Sequence, residues 1–187
     1  MKLELFLFRH GALHSKKNIL CGWLNLPLSK VGEAQAKILA KKLAKEKIDA
    51  GFCSDLIRSK QVLIEVLKNK PRSLVVVDPR LRERHFGALS GELESIFANT
   101  SSLKKVEGGF VEGVPGLESM HVVRKRLFPF MNNLLRFMQK EKVNVAISAH
   151  KESLMLIQEY LEGLAPDQAE KLKHFPTEYK KYVIEFD

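Results

Sequence analysis

Cysteine is scarce in this chain: Cys21 and Cys53 are the only two in 187 residues, and their separation fits neither a metal-type nor a redox-type motif. A structural disulfide is therefore not indicated. Cys21 is expected to line a pocket, and Cys53, inside an apolar stretch, to be inert. Long hydrophobic runs are missing too, none approaching the roughly 20 residues that a bilayer span requires. The amino-terminal apolar stretch from Leu3 to Phe8 is short and broken by Glu4, unlike a secretory signal. A cytoplasmic protein with no membrane partner is expected. The first turn lacks a glycine-rich fingerprint, which argues against a Rossmann-type nucleotide binder. No internal repeat, linker or low-complexity tract stands out.

Acidic residues are the minority charge, 22 against 31 Lys and Arg, for a formal net charge of +9. That balance favours anionic partners through long-range steering. The lysines are spread over helix faces rather than clustered with aromatics, so nucleic acid is not an expected partner. Hydrophobic residues at 45% and charged residues at 28% suit one globular domain over residues 1–187.

Periodicity predicts alternating strands and helices. Leu3 to Phe8 reads as a strand, and Ser29 as the N-cap of a helix from Lys30 to about Glu46 with Val31, Ala34, Ile38, Ala40 and Leu43 on its apolar face. A short buried strand at Ala50–Ser54 precedes a helix from Arg58 to Lys68 carrying Val62, Leu63, Ile64 and Leu67. Leu74–Val77 is a β-branched strand. A loop-rich insertion at about 87–118 is expected to carry short helical pieces near Glu92 to Asn99 and to cover a sheet edge. Ser119 caps a long helix to about Lys140, in which Pro129 predicts a kink or an interrupted start. Val143–Ser148 is a strand, Glu152–Leu161 a helix and Tyr182–Phe186 a final edge strand. Phe128, Phe130, Phe137 and Met138 would pack a core or a homodimer face. The fold class is α/β, a three-layer α/β/α sandwich with a mostly parallel central sheet.

Chemistry-bearing residues sit where such strands end. Arg9-His10-Gly11 follows the first strand and Ala149-His150 a later one. Open α/β sheets bind ligands at that carboxyl edge. An arginine grips phosphate oxygens bidentately, and a neutral imidazole attacks phosphorus. Ser54-Asp55-Leu56-Ile57-Arg58-Ser59 places a second arginine in the first turn of a helix, where backbone amides favour an anion. Arg82-Glu83-Arg84-His85-Phe86-Gly87 supplies a carboxyl group for proton transfer. Taken in order, with Cys21-Gly22-Trp23-Leu24-Asn25 and Pro115-Gly116-Leu117-Glu118-Ser119, these segments resemble the histidine phosphatase superfamily, the group that contains phosphoglycerate mutases and small phosphomonoesterases.

The resemblance, with a phosphoglycerate mutase-like fold, implies an assignment for each residue. His10 is the nucleophile and forms a phosphohistidine; Arg9 and Arg58 clamp the phosphoryl group. His150, if protonated, donates to a phosphoryl oxygen, and Glu83 is the acid and then the base. Cys21, Gly22 and Arg84 join Arg9, Arg58 and His150 in substrate binding. His14, His121 and His174 lack such context and are expected at the surface, with no pair at metal-ligand spacing, so metal-independent chemistry without a cofactor is expected. Three departures stand out. Leu13 to Lys17 contains no phosphate-holding asparagine, Asn18 arriving late and Lys16 or Lys17 being a substitute; Lys151 and Glu152 follow the second histidine in place of glycine; and Lys104 and Lys105 do not form a mutase-type arginine pair. Phe86, Phe97 and Phe110 are candidates for an apolar wall. The expected function is hydrolysis of a small phosphorylated metabolite. The alternatives are phosphoglycerate mutase-type transfer and a non-catalytic phosphoryl-binding protein.

Overall fold

The computed structural model describes residues 1–16, 18–95, 106–107, 110–111 and 113–186. Strand β1 (Lys2–Arg9) sends Leu3, Leu5 and Leu7 to one face and Phe6 and Phe8 to the other, as a period of two requires. Both faces are covered, which is why the run is apolar throughout. It lies in a five-stranded sheet of order β3-β2-β6-β1-β7, with β2 at Ala50–Cys53, β3 at Leu74–Val77, β6 at Val145–Ala149 and β7 at Tyr179–Glu185. All pairings are parallel except that of β7, which runs antiparallel to β1. A two-stranded ribbon, β4 (Val106–Glu107) and β5 (Phe110–Val111), lies within the insertion. The expected helical piece there runs beyond Ser95, outside the described residues.

Helices α1 (Lys30–Lys42) and α2 (Ile57–Leu67) cover the Phe6 and Phe8 face through Ala36, Leu39, Val62 and Leu63. Helices α3 (Met120–Glu141) and α4 (Lys151–Glu162) cover the other through Val123, Leu127, Leu154 and Ile157, and a short α5 (Pro166–Ala169) follows. This is the three-layer sandwich, mostly parallel at its centre.

Several local expectations need correction. The buried stripe of α1 is Gly32, Ala36 and Leu39, while Val31 and Ile38 are 62% and 46% exposed. The helix ends four residues early, with Leu43 at its C-cap. Ile64 of α2 is likewise exposed. Helix α3 runs on through Pro129, which lies on the exposed side, so the interrupted start that a proline can impose is not seen. Phe130 and Met138 belong to the core, and the rings of Phe130 and Phe137 sit 5.9 and 5.8 Å from that of Phe52. β7 begins three residues earlier than the pattern indicates, because β1 offers a full antiparallel register from Lys2 to Phe8.

The stripe on α1 is small for a steric reason. A Cβ on Gly32 would stand 2.0 Å from the Ala12 carbonyl oxygen, and one on Gly11 would stand 2.7 Å from the Gly32 oxygen. The helix backbone thus rests directly on the turn that follows β1. Ser29 strengthens that contact, its Oγ accepting from Gly32 N and donating to the Ala12 carbonyl. Gly32→Ala is expected to lower stability by about 1–3 kcal/mol or more, the usual cost of overpacking. Urea unfolding measures this, and an unchanged midpoint would refute the backbone contact.

Candidate active site

β1 and β6 are adjacent and parallel, with Arg9 opposite Ala149, so the residue after each is delivered to the same point of the sheet edge. Those residues are His10 and His150, whose rings stand 5.1 Å apart between centroids. His10 Nδ1 is 2.9 Å from the Gly11 carbonyl oxygen. A carbonyl only accepts, so Nδ1 carries the proton and Nε2 keeps its lone pair. His150 has the opposite tautomer: its Nδ1 accepts from Arg58 Nε at 3.3 Å, leaving Nε2–H to donate to Ser54 Oγ at 2.8 Å. Burial pushes both histidines well below their ordinary 6.5. The charges of Arg58 and Arg9 add to this at His10, and His10, Arg58, Arg9 and Arg126 add to it at His150.

Arg58 is 1% exposed. Its Nη1 and Nη2 donate to the carbonyls of Leu24 and Gly22, each at 2.6 Å. The fork is therefore fixed before any anion arrives. At the start of α2, Leu56 N is engaged with Ser54 Oγ and Ile57 N with Asn25 Oδ1, so neither amide is left for the anion expected at that helix start. Arg9 donates from Nη1 to the His174 carbonyl at 3.4 Å, and its Nε is buried without a partner among the described residues.

Glu83 is buried, and its Oε1 accepts from the backbone amides of Arg84 at 3.0 Å and Glu152 at 3.2 Å. Its carbonyl receives Trp23 Nε1 at 2.7 Å and Arg126 Nη2 at 2.8 Å. The neighbouring arginines face elsewhere. Arg82 pairs with Asp55 and lies over the Trp23 ring, 4.4 Å from its centroid.

A cleft of about 560 Å³ collects Arg9, His10, Cys21, Gly22, Arg58 and Glu83. His150 lies fully buried behind His10, and Arg84 is turned away, its Nε donating to the Glu118 carbonyl at 2.6 Å. The cleft lining includes neither, although Arg84 Nη1 stands 3.9 Å from Oε1 of Glu152, which does line it. Asn18 does line the cleft, in a left-handed conformation at φ 57°, so an asparagine reaches it despite its late position. Lys16, Lys151 and Phe86 line it as well; Lys17, Phe97, Lys104, Lys105 and the Phe110 side chain lie outside the described residues.

His14 and His121 are exposed, but His174 is half-buried beside Gln158, and burial lowers it to about 4. The expectation of a surface histidine was wrong there because the segment after α5 folds back against Arg9. Residues that sequence reasoning missed are Glu152 and Glu94 in the cleft, and Trp23, Gln35, Glu118 and Arg126 around it. Glu152 was visible only as a departure after His150, and Trp23 and Glu118 only as members of motif segments given no role of their own; Glu94, Gln35 and Arg126 carried no local signal.

Histidines, arginines and carboxyls converging at the carboxyl edge of a parallel sheet are the layout of an α/β enzyme of phosphoryl chemistry. The chain belongs to the histidine phosphatase superfamily (branch 1), whose family model matches residues 5–187. It is similar to a 2,3-bisphosphoglycerate-dependent phosphoglycerate mutase of Methanosarcina mazei, 27% identical over 197 residues, covering 87% of this chain and 82% of the relative. Among solved structures it is similar to a mycobacterial glucosyl-3-phosphoglycerate phosphatase, with a TM-score of 0.78 and 22% identity over 97% of this chain and 90% of the other. The α-ribazole phosphatase of Shigella flexneri gives a TM-score of 0.79 at 21% identity, covering 96% and 89%. The family resemblance carried by the motifs is thereby shown, and the two solved structures support the fold.

The buried neutral histidines have a consequence for stability. Their folded pKa lies below the unfolded 6.5, so the unfolded chain binds more protons once the pH drops past that value. Their contribution is fully present above about pH 6.5 and is lost as the pH falls toward the folded values. Unfolding free energy should decline from about pH 7 to pH 5, and His150→Asn should flatten that slope whatever it does to the plateau. Equal slopes in wild type and variant would mean that His150 protonates freely in the folded protein.

Proposed function

We propose that this protein hydrolyses a small phosphomonoester through a phosphohistidine on His10. The observation that carries the reading is the His10 tautomer: the Gly11 carbonyl holds the proton on Nδ1 and leaves the Nε2 lone pair free beside Arg9 and Arg58. In the first step Nε2 bonds to phosphorus, the bond from phosphorus to the ester oxygen breaks, and the leaving oxygen takes a proton from Glu83. In the second, water bonds to phosphorus, the P–N bond breaks, and Glu83 takes the water proton. Arg9 and Arg58 neutralise the phosphoryl oxygens in both steps, with Asn18 and Lys16 available at the rim. For His150 to donate to a phosphoryl oxygen it takes up a proton on Nδ1 and releases Arg58 Nε, and the charge of the arriving dianion favours this by offsetting burial and the neighbouring cations. No step requires a metal ion or an organic cofactor.

The substrate class we infer is a phosphorylated sugar or similar small metabolite, in line with relatives named as phosphatases of small phosphate esters. Mutase chemistry is the second reading, favoured by the name of the archaeal relative. It shares the phosphohistidine and differs in the acceptor, a substrate hydroxyl instead of water.

The test is p-nitrophenyl phosphate hydrolysis with a chelator present, comparing wild type with His10→Ala. Turnover should survive the chelator and fall by about 10³-fold or more in the variant, as for loss of a covalent nucleophile. Isomer interconversion of phosphoglycerates without phosphate release would establish the mutase reading instead. Tight phosphate binding with no phosphohistidine formed would leave a binding protein.

A further inference from the structure

Glu152 is a largely buried charged group in the cleft that the proposed chemistry does not use. It stands at the start of α4, two residues after His150, and lines the same cleft as Glu83. Its backbone amide donates to Glu83 Oε1 at 3.2 Å, which ties the two carboxyl-bearing residues together. Its own Oε2 is buried without a hydrogen-bond partner among the described residues. The nearest cation on its other oxygen is Arg84, whose Nη1 is 3.9 Å from Oε1 and whose Nε is committed to the Glu118 carbonyl. A buried, unbonded carboxylate oxygen beside a second carboxylate is costly, and a proton removes that cost.

We propose that Glu83 and Glu152 form a carboxyl pair that holds one proton between them on the leaving-group side of the cleft, making Glu152 a positioning residue for the proton that Glu83 delivers. The inference rests on the phosphomonoesterase reading for its chemical use, but the pair itself does not. Two carboxyl groups in one desolvated site do not ionise together at neutral pH, so the acid required by the first step is present where a lone carboxyl would have lost it. The proton leaves with the ester oxygen and returns from water in the second step, so the pair ends each cycle as it began.

The charged surroundings of Glu152 agree with this. Burial acts first and the Glu83 charge second, with Glu118, ahead of α3, pushing the same way. Arg84, beside Glu83, and Lys151, on its own helix, pull the other way, and the net effect lifts Glu152 to about 7. Lys151 is exposed and well hydrated, so it offsets little.

The experiment is a carbon-13 NMR titration of protein labelled at the glutamate Cδ, run beside pH–rate profiles for an alkyl phosphate and p-nitrophenyl phosphate. Wild type should show a glutamate carboxyl titrating near neutrality. That signal should vanish in Glu152→Gln and move to lower pH in Glu83→Gln, where the facing charge is gone. In kinetics, Glu152→Gln should move the basic limb of kcat/KM to lower pH. It should cost about 10–100-fold on the alkyl phosphate, which needs the proton, and under about threefold on the nitrophenyl ester, which does not. Glu152→Asp, which keeps the acid, should recover part of the alkyl rate. Absence of a near-neutral glutamate titration in wild type, or equal losses on both esters with an unmoved pH profile, overturns the pair. A near-neutral titration in a protein that turns over no phosphoester keeps the pair and sinks the phosphatase reading.

Discussion

Arg58 carries a positive charge into a place with almost no water, and the surrounding structure is built to tolerate it. Burying a lone charge costs several kcal/mol even after relaxation. Here the cost is offset by the two carbonyls of Gly22 and Leu24 and by the His150 Nδ1 lone pair. These partners are neutral, so the charge remains available to an incoming anion. Burial is the main reason both histidines stay unprotonated, and the Arg58 charge adds to it. The arginine that would hold the phosphate thus reinforces the neutral imidazole that the proposed chemistry needs. A second buried cation in place of either histidine proton state would be unfavourable until a dianion supplied the compensating charge.

That arginine also links parts of the site that are distant in sequence. Gly22 and Leu24 belong to the segment that carries Trp23, and the Trp23 indole donates to the Glu83 carbonyl. Asp55, three residues before Arg58, pairs with Arg82, just before Glu83, and Arg82 in turn covers the Trp23 ring. Ser153 of α4 donates to the Arg82 carbonyl at 2.7 Å while the Glu152 amide holds Glu83 Oε1. Arg58, the proposed phosphate clamp, and the carboxyls are therefore braced through one network of backbone and side-chain acceptors. On the opposite side, the turn after β1 is held by the α1 backbone at Gly32 and by Gln35 Oε1, which accepts from Ala12 N at 2.8 Å. Each reactive group is positioned by main chain at least as much as by side-chain packing, which suits a site that must not shift as charge develops.

What could be read from the sequence, and what could not, follows from the range of the interactions. Strand ends were legible because a buried parallel strand is a continuous apolar run and its last residue is marked by the change to Arg9-His10 or His150. The pairing of β1 with β6 then brings the histidines together. Helix faces were less legible. Val31 and Ile38 satisfy a helical period, yet the buried stripe is Gly32 and Ala36, chosen by a steric contact with residues 11 and 12 that no local pattern contains. His174 failed for the same reason: its environment is set by Gln158 and Arg9, residues far away in the chain. Asn18 failed differently, because spacing from the Arg-His-Gly triplet is a poor guide once the turn takes a left-handed step.

The distribution of charge across the cleft bears on the choice between water and a second substrate group as acceptor. Arg9 and Arg58 line the cleft beside His10, and Glu83 and Glu152 line it too, tied through the Glu152 amide. A phosphoryl group held by the arginines shares the cleft with those carboxyls. Hydroxyl groups or water there find acceptors. A second phosphate or carboxylate would meet like charge in a poorly hydrated space, where repulsion is strong. The exposed Lys16 and Lys151 attract anions toward the mouth without relieving that repulsion inside. Exchange between two phosphorylated positions on one anionic substrate requires just such a second group to be held there. The placement of Glu152 therefore weighs toward hydrolysis, and Glu152 belongs with Lys151 to the pair that follows the second histidine where a glycine was expected.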